Sequence, residues 1–223
     1  MRYGFAFLLL GIGFTAQAVA RGGWWWLLVW PGLSFAVVGV AYLLSRPQLL
    51  GKRADGRLSS AALPYMLPFA LFAWIVWHAR RLAARRKPVA AEIAPGIWLG
   101  RRAGACELPA GVTTVVDLTA EFWEPRGVVR DRCYVCVPIL DASATDESQF
   151  RAALDAILAA ESAVYIHCAQ GHGRSAALAA AVLIRRGLAA DVDEGENALA
   201  RLRPGVGLYP SQRELVRRVT SLH

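Results

Sequence analysis

The sequence predicts an α/β domain preceded by an all-α transmembrane region. Three observations carry that division. Before residue 79 the chain holds three uncharged apolar runs; beyond residue 92 short β-prone segments alternate with helical periodicities. Within that second part, Ala163–Ile166 runs through a glycine-bearing loop into an alanine-rich helical stretch. A length of 223 residues accommodates one ordinary domain plus an appendage.

The first run, Tyr3–Ala20, lies between Arg2 and Arg21, the second, Gly22–Ser45, between Arg21 and Arg46, and the third, Leu58–Trp77, between Arg57 and His78. Each is close to the ~20 residues that cross ~30 Å of hydrocarbon as a helix. Spans are therefore expected at 3–20, 22–45 and 58–78. Trp24, Trp25, Trp26 and Trp30 crowd one end of the second run, and Trp74 and Trp77 the end of the third, as interfacial belts do. A signal peptide is the alternative for the first run, but another long apolar run follows it, which favours retained helices. Pro64 and Pro68 make the third either a kinked span or a partly interfacial helix.

Composition agrees: 56% of residues are hydrophobic and mean hydropathy is +0.36. The net charge of +8 is unevenly placed. Residues 1–87 hold eleven Lys/Arg and one acid, Asp55, whereas residues 88–223 hold fourteen Arg and sixteen Asp/Glu. The basic excess thus flanks the apolar runs, where cations meet lipid headgroups. The folded part is slightly acidic, which argues against a nucleic-acid partner. The cations on the two sides of the spans nearly balance, so orientation rests on a reactive thiol, argued below, which suits a reducing compartment. A multi-pass integral membrane protein with a cytoplasmic C-terminal domain is expected.

Three segments follow: a transmembrane region over 1–79, a basic juxtamembrane linker over 80–92 and a catalytic domain over 93–223. In the last, strands are predicted at Ile97–Gly100, Thr113–Leu118, Tyr134–Ile139 and Ala163–His167. Helices are predicted at Glu147–Ala160, Ser175–Arg186, Val192–Leu202 and Ser211–Leu222. Four cysteines are too few for a disulfide scaffold. Cys133-Tyr-Val-Cys136 has CxxC spacing but no second half to complete a zinc site, so both are read as buried strand cysteines.

The chemistry concentrates in His167-Cys-Ala-Gln-Gly-His-Gly-Arg-Ser175. A strand that enters a helix through a short glycine loop aims backbone N–H groups and the positive helix end at one point, a ready anion site. Cys168 at its base presents sulfur to the same field, which favours the nucleophilic thiolate. Arg174 supplies a planar fork able to grip two phosphate oxygens. Gly171 and Gly173 permit close approach or positive φ. The phosphate-binding loop is therefore His167, Cys168, Ala169, Gln170, Gly171, His172, Gly173 and Arg174. Nucleophile and cradle together imply phosphoryl transfer to sulfur and hydrolysis of the phosphocysteine, with Arg174 and the amides doing the electrostatic work and no metal or cofactor called for. Ser175 is placed to donate to the departing sulfur.

This stretch resembles the Cys-based protein tyrosine phosphatase superfamily, whose signature is His-Cys, five residues, Arg, then Ser or Thr. The match falls on His167, Cys168, Gly171, Arg174 and Ser175. The resemblance extends over roughly 93–222 and includes Ile97-Trp-Leu-Gly100, Val115-Val-Asp-Leu118 and Arg201-Leu-Arg-Pro-Gly205. It implies a central sheet flanked by helices and an aspartate serving as general acid and then base. Asp141, directly after a strand, is favoured for that role, and Asp146 for the next helix cap. The Trp-Pro-Asp form of this loop is absent, which points to the compact dual-specificity branch. The resemblance also makes Asp117 structural and His167 a hydrogen-bonded neighbour that tunes the cysteine. For His172, substrate contact and solvent exposure stand as equal readings.

Three functions follow from the combination. The first is a membrane-anchored dual-specificity phosphatase acting on phosphoproteins at Tyr, Ser or Thr. The second is a phospholipid phosphatase of the same fold, taking phosphatidylglycerophosphate or a phosphoinositide. Membrane anchoring and Leu118-Thr-Ala-Glu121 favour the second, whereas Ala169, Gln170 and His172 lack the lysines that phosphoinositide phosphatases often carry there. The third is a catalytically inactive phosphate-binding scaffold at the membrane.

Overall fold

In the computed structural model, which describes residues 2–221, the first apolar run folds as α1 (Arg2–Arg21). Gly4, Gly11 and Ala18, spaced by seven, are its buried residues. A Cβ at Gly11 would lie 2.7 Å from the Gly32 carbonyl oxygen, and one at Gly39 would lie 2.7 Å from the Leu8 nitrogen. The facing helix therefore approaches backbone to backbone, as small residues allow in apolar surroundings.

That facing helix is α2 (Val29–Leu43), shorter than the span expected over 22–45. Gly22 and Gly23 take positive φ of 64° and 55° and lead into a 3-10 turn over Gly23–Leu28 that carries three of the tryptophans. Pro31 explains the restart: it lacks an N–H and fits a helix only in its first turn, where that N–H would be unpaired anyway.

The third run forms α3 (Leu63–Ala83), displaced from the expected 58–78. Leu58 instead bridges to Lys52, and the helix continues through Arg80 and Arg81, cations suited to a helix C-terminus. Pro68 leaves the Pro64 carbonyl without its usual intrahelical donor. The Trp30 indole N–H fills that gap at 2.6 Å, and the Phe69 N–H turns to Ser34 Oγ at 3.1 Å. Phe7 and Phe35 meet Phe69 edge-on, with centroids 5.5 and 5.9 Å away. Among the described residues two segments, Arg2–Arg21 and Gly23–Leu43, are long and apolar enough to cross a membrane; α3 does not join them.

The chain divides into two compact units. The helices just described belong to the first, together with Ala120–Trp123, and the second contains Arg86–Thr119 and the chain from Glu124 onward.

The second unit is built on a five-stranded sheet. Its strands are β1 (Ala90–Ala94), β2 (Ile97–Arg101), β3 (Val112–Thr119), β4 (Cys133–Ile139) and β5 (Ala163–Cys168), in the order β1-β2-β5-β3-β4. Only β1 runs antiparallel to its neighbour. It was not predicted, since Ala-Ala-Glu-Ile-Ala has weak β character; pairing with β2 across the Pro95-Gly96 turn creates it. Cys133 and Cys136 lie in β4 as expected but are not buried: Cys133 is exposed and Cys136 half-buried. The reason is that β4 is an edge strand, so its flank faces outward.

Five helices accompany the sheet: a short unpredicted α4 (Arg126–Val129), α5 (Glu147–Leu158), α6 (Arg174–Arg185), α7 (Val192–Leu202) and α8 (Pro210–Thr220). Leu222, the expected end of the last, lies outside the described residues. Every residue of α6 from Arg174 to Leu183 is buried. Its alanines let β5, α5, α7 and α8 close around it, so α6 and β5 form the axis of the core. Tyr165 on β5 sits where Gly100 leaves room and donates to the Arg101 carbonyl at 2.6 Å.

Candidate active site

Cys168 is the last residue of β5 and Arg174 the first of α6, so the loop between them joins the two central core elements. Gly171 makes the tight turn possible. Its φ is +76°, and a Cβ there would lie 2.5 Å from the Gly100 carbonyl oxygen. No other residue combines that backbone with that clearance.

Cys168 is buried, only 3% exposed, yet its sulfur has donors aimed at it. The Gly171 N–H lies 3.3 Å from Cys168 Sγ and the Ser175 hydroxyl 3.2 Å away. Ser175, itself fully buried, thus occupies the position expected of a donor to sulfur. The remaining loop residues are held by their backbones. The Ala169 carbonyl accepts from the Arg102 N–H at 3.4 Å, and the His172 carbonyl from the Gly207 N–H at 3.1 Å. Gly173 is the N-cap of α6.

Arg174 is buried and reaches across the C-terminal ends of β3 and β4. Nη1 donates to the Ile139 carbonyl at 2.8 Å and the Leu118 carbonyl at 3.4 Å. Nη2 lies 3.3 Å from Asp141 Oδ1, whose side chain is 56% exposed. The structure therefore brings Asp141, rather than Asp146, to the arginine. Asp146 is the N-cap residue of α5. Its carboxylate accepts the Ser148 hydroxyl, and that bond together with the first-turn amides holds it below the usual carboxylate range.

Asp117 is fully buried at the end of β3, as its structural reading required. Oδ1 accepts from the Thr119 N–H and hydroxyl, both at 2.8 Å, and Oδ2 from the Tyr134 hydroxyl at 2.6 Å. Burial, reinforced by this carboxylate, pushes the Tyr134 phenol well above its ordinary value. His167 corrects an expectation. Its ring is buried beside Asp117, with Nδ1 4.0 Å from Oδ1, but among the described residues neither ring nitrogen has a hydrogen-bond partner. The Asp117 oxygens are instead engaged by Thr119 and Tyr134.

His172 is half-buried, so it is neither a free surface ring nor a core one. Desolvation, then the positive charges of Arg203 and Lys87, hold its pKa below the ordinary histidine value. Asp117, Glu124 and His167 bring candidate metal-ligand atoms within 4.8 Å of one another. Glu124 is already engaged by Arg102 Nε at 2.7 Å, and Asp117 by the donors above, so the set behaves as an ion and hydrogen-bond network.

Sequence reasoning missed Arg102, Glu124, Arg203 and Gln212. Gln212 Nε2 donates to the Ser143 carbonyl at 3.0 Å on the Asp141 loop, while Oε1 accepts from the Tyr209 N–H. Only the resemblance of Arg201-Leu-Arg-Pro-Gly205 hinted at any of them.

The phosphatase domain described as the DSP-PTPase domain of Swiss Army Knife proteins matches residues 100–213, just over half the chain. The chain belongs to this family. It is a phosphatase domain of the dual-specificity and protein tyrosine phosphatase fold. Among solved structures, Tk-PTP in its active form is similar at 26% identity and TM-score 0.54, covering 61% of this chain and 99% of its own. A variant of human DUSP28 is similar at 25% identity and TM-score 0.51, covering 60% and 94%. PTPMT1 in complex with PI(5)P shares the fold at 18% identity and TM-score 0.52, covering 59% and 94%. No curated protein matches the chain in sequence.

Proposed function

We propose that the protein is a membrane-anchored, cysteine-dependent phosphomonoesterase acting as a dual-specificity protein phosphatase. The observation that carries this reading is Cys168 Sγ at the focus of the Gly171 N–H and the Ser175 hydroxyl, with Arg174 and Asp141 paired beside it. In the first step Cys168 sulfur attacks phosphorus, the S–P bond forms and the P–O bond to the leaving group breaks. Asp141 delivers a proton to that oxygen. Arg174 and the loop amides carry the charge on the equatorial oxygens. In the second step Asp141 takes a proton from water, the water oxygen bonds to phosphorus, and sulfur leaves as thiolate with the Ser175 hydroxyl donating to it.

Protein substrates are favoured by the similarity to Tk-PTP and human DUSP28, at 26% and 25% identity. The second reading, a phospholipid phosphatase, is favoured by the two segments long and apolar enough to cross a membrane. On this reading the catalytic domain faces the cytoplasm, a reducing compartment that suits its reactive thiol.

The test is phosphate release by the whole protein in detergent, with Cys168→Ser as control. A phosphotyrosine peptide is compared with phosphatidylglycerophosphate and a phosphoinositide. A peptide preference of about a hundredfold, about 2.7 kcal/mol of selective transition-state binding, supports the protein reading. The reverse preference selects the lipid reading, and release independent of Cys168 rejects both.

A further inference from the structure

Arg203 caps the C-terminal end of α7 and is 8% exposed, and the reaction scheme gives it no part. Its guanidinium makes three bonds, all to backbone carbonyls. Nε donates to Gly171 O at 3.1 Å, Nη2 to Gln170 O at 3.0 Å and Nη1 to Pro88 O at 3.3 Å. Two successive carbonyls of the phosphate loop therefore point at one fork.

The consequence follows from peptide planarity. In a trans peptide the carbonyl and the following N–H point in opposite directions. Drawing Gln170 O and Gly171 O towards Arg203 turns the N–H groups of Gly171 and His172 away from it. The first of these N–H groups is found on Cys168 Sγ. Gly171, with positive φ and no side chain, is the position in the loop where a peptide plane rotates at least cost. A rotated plane would present a carbonyl oxygen to the phosphate and repel it.

We infer that Arg203 is a positioning residue that locks the two peptide planes flanking Gly171, so that their N–H groups face the bound phosphate. The inference rests on the phosphatase reading of the loop. Its fork geometry matters as well as its charge, since one ammonium cannot hold two carbonyls in fixed directions.

The test uses the full chain in detergent, with alkylation of Cys168 by neutral iodoacetamide followed by peptide mass, and inorganic phosphate as protectant. In Arg203→Met the phosphate concentration for half-protection rises at least tenfold. The ratio of iodoacetate to iodoacetamide rates falls in parallel, because only the anion uses the loop amides. If Arg203→Met does not fold, Arg203→Lys, which keeps the charge and loses the fork, carries the same measurement. Half-protection within twofold of the unsubstituted protein overturns the inference. Absence of phosphate protection in the unsubstituted protein overturns the phosphate-loop reading and this inference with it.

Discussion

Arg174 Nη2 stands 3.3 Å from Asp141 Oδ1, which joins the first residue of α6 to a residue just past the end of β4 at Ile139. The cation proposed to bind phosphate and the aspartate proposed as acid are thus neighbours, although 33 positions separate them in sequence. Asp146, five residues further along, is tied to Ser148 at the start of α5.

Asp141→Asn is expected to slow turnover of a phosphotyrosine peptide by about 10²–10³-fold, the usual worth of a positioned general acid. An aryl phosphate with a very acidic leaving phenol should lose much less, because that oxygen departs without a proton. Asp146→Ala should leave both rates within twofold. Steady-state kinetics on the two substrates checks this, and equal losses for Asp141→Asn on both would remove its role as acid.

Ser175→Ala removes one of the two donors on Cys168 Sγ. A hydrogen bond to a charged group contributes about 1.5–3 kcal/mol, so hydrolysis of the phosphocysteine should slow about tenfold or more. Rapid mixing with an aryl phosphate should then show a burst of phenol equal to the enzyme concentration, followed by slow turnover. A slower burst with an unchanged steady state would place Ser175 in the first step instead.

His172 gives a pH prediction with a definite sign. Its pKa is held down by burial, Arg203 and Lys87, so the unfolded chain binds the proton more tightly than the folded one. Stability should therefore fall as pH drops through the ordinary histidine range towards the folded value. Thermal melts at pH 8 and pH 5.5 should differ less for His172→Gln than for the unsubstituted protein. Asp146 works in the same direction at lower pH: its carboxyl is lowered on folding, so its contribution is present above the unfolded value and lost as acid protonates it.

Two glycines of α1 form a matched pair. A Cβ at Gly11 would fall 2.7 Å from the Gly32 carbonyl and 2.8 Å from the Ala36 nitrogen, whereas one at Gly13 meets nothing within 4 Å. Gly11→Leu should destabilise the helical unit by about 1–3 kcal/mol or more, as overpacking does, and Gly13→Ala should not. Unfolding in graded detergent mixtures reads both, and equal tolerance would mean that α1 and α2 do not pack closely.

The sequence alone determined the features that depend on local order. The apolar runs, the strand–loop–helix around Cys168 and the helices α5 to α8 were legible because period, charge and glycine placement act over a few residues. Pro31 and Pro68 show the limit even there: Pro31 sits in the first turn of α2, where the second run restarts as an α-helix, and Pro68 lies inside α3, where the freed Pro64 carbonyl finds its donor on Trp30, 34 positions away. Tertiary structure alone decided which distant groups meet. Weakly β-prone Ala90–Ala94 became a strand because β2 offered it partners, and Cys133 stayed exposed because β4 fell at a sheet edge. The Arg102–Glu124 ion pair and the grip of Arg203 on Gln170 and Gly171 join residues 22 to 33 positions apart. Such contacts leave no period or motif in the chain, since they are fixed only when strands and helices close around the common α6–β5 axis.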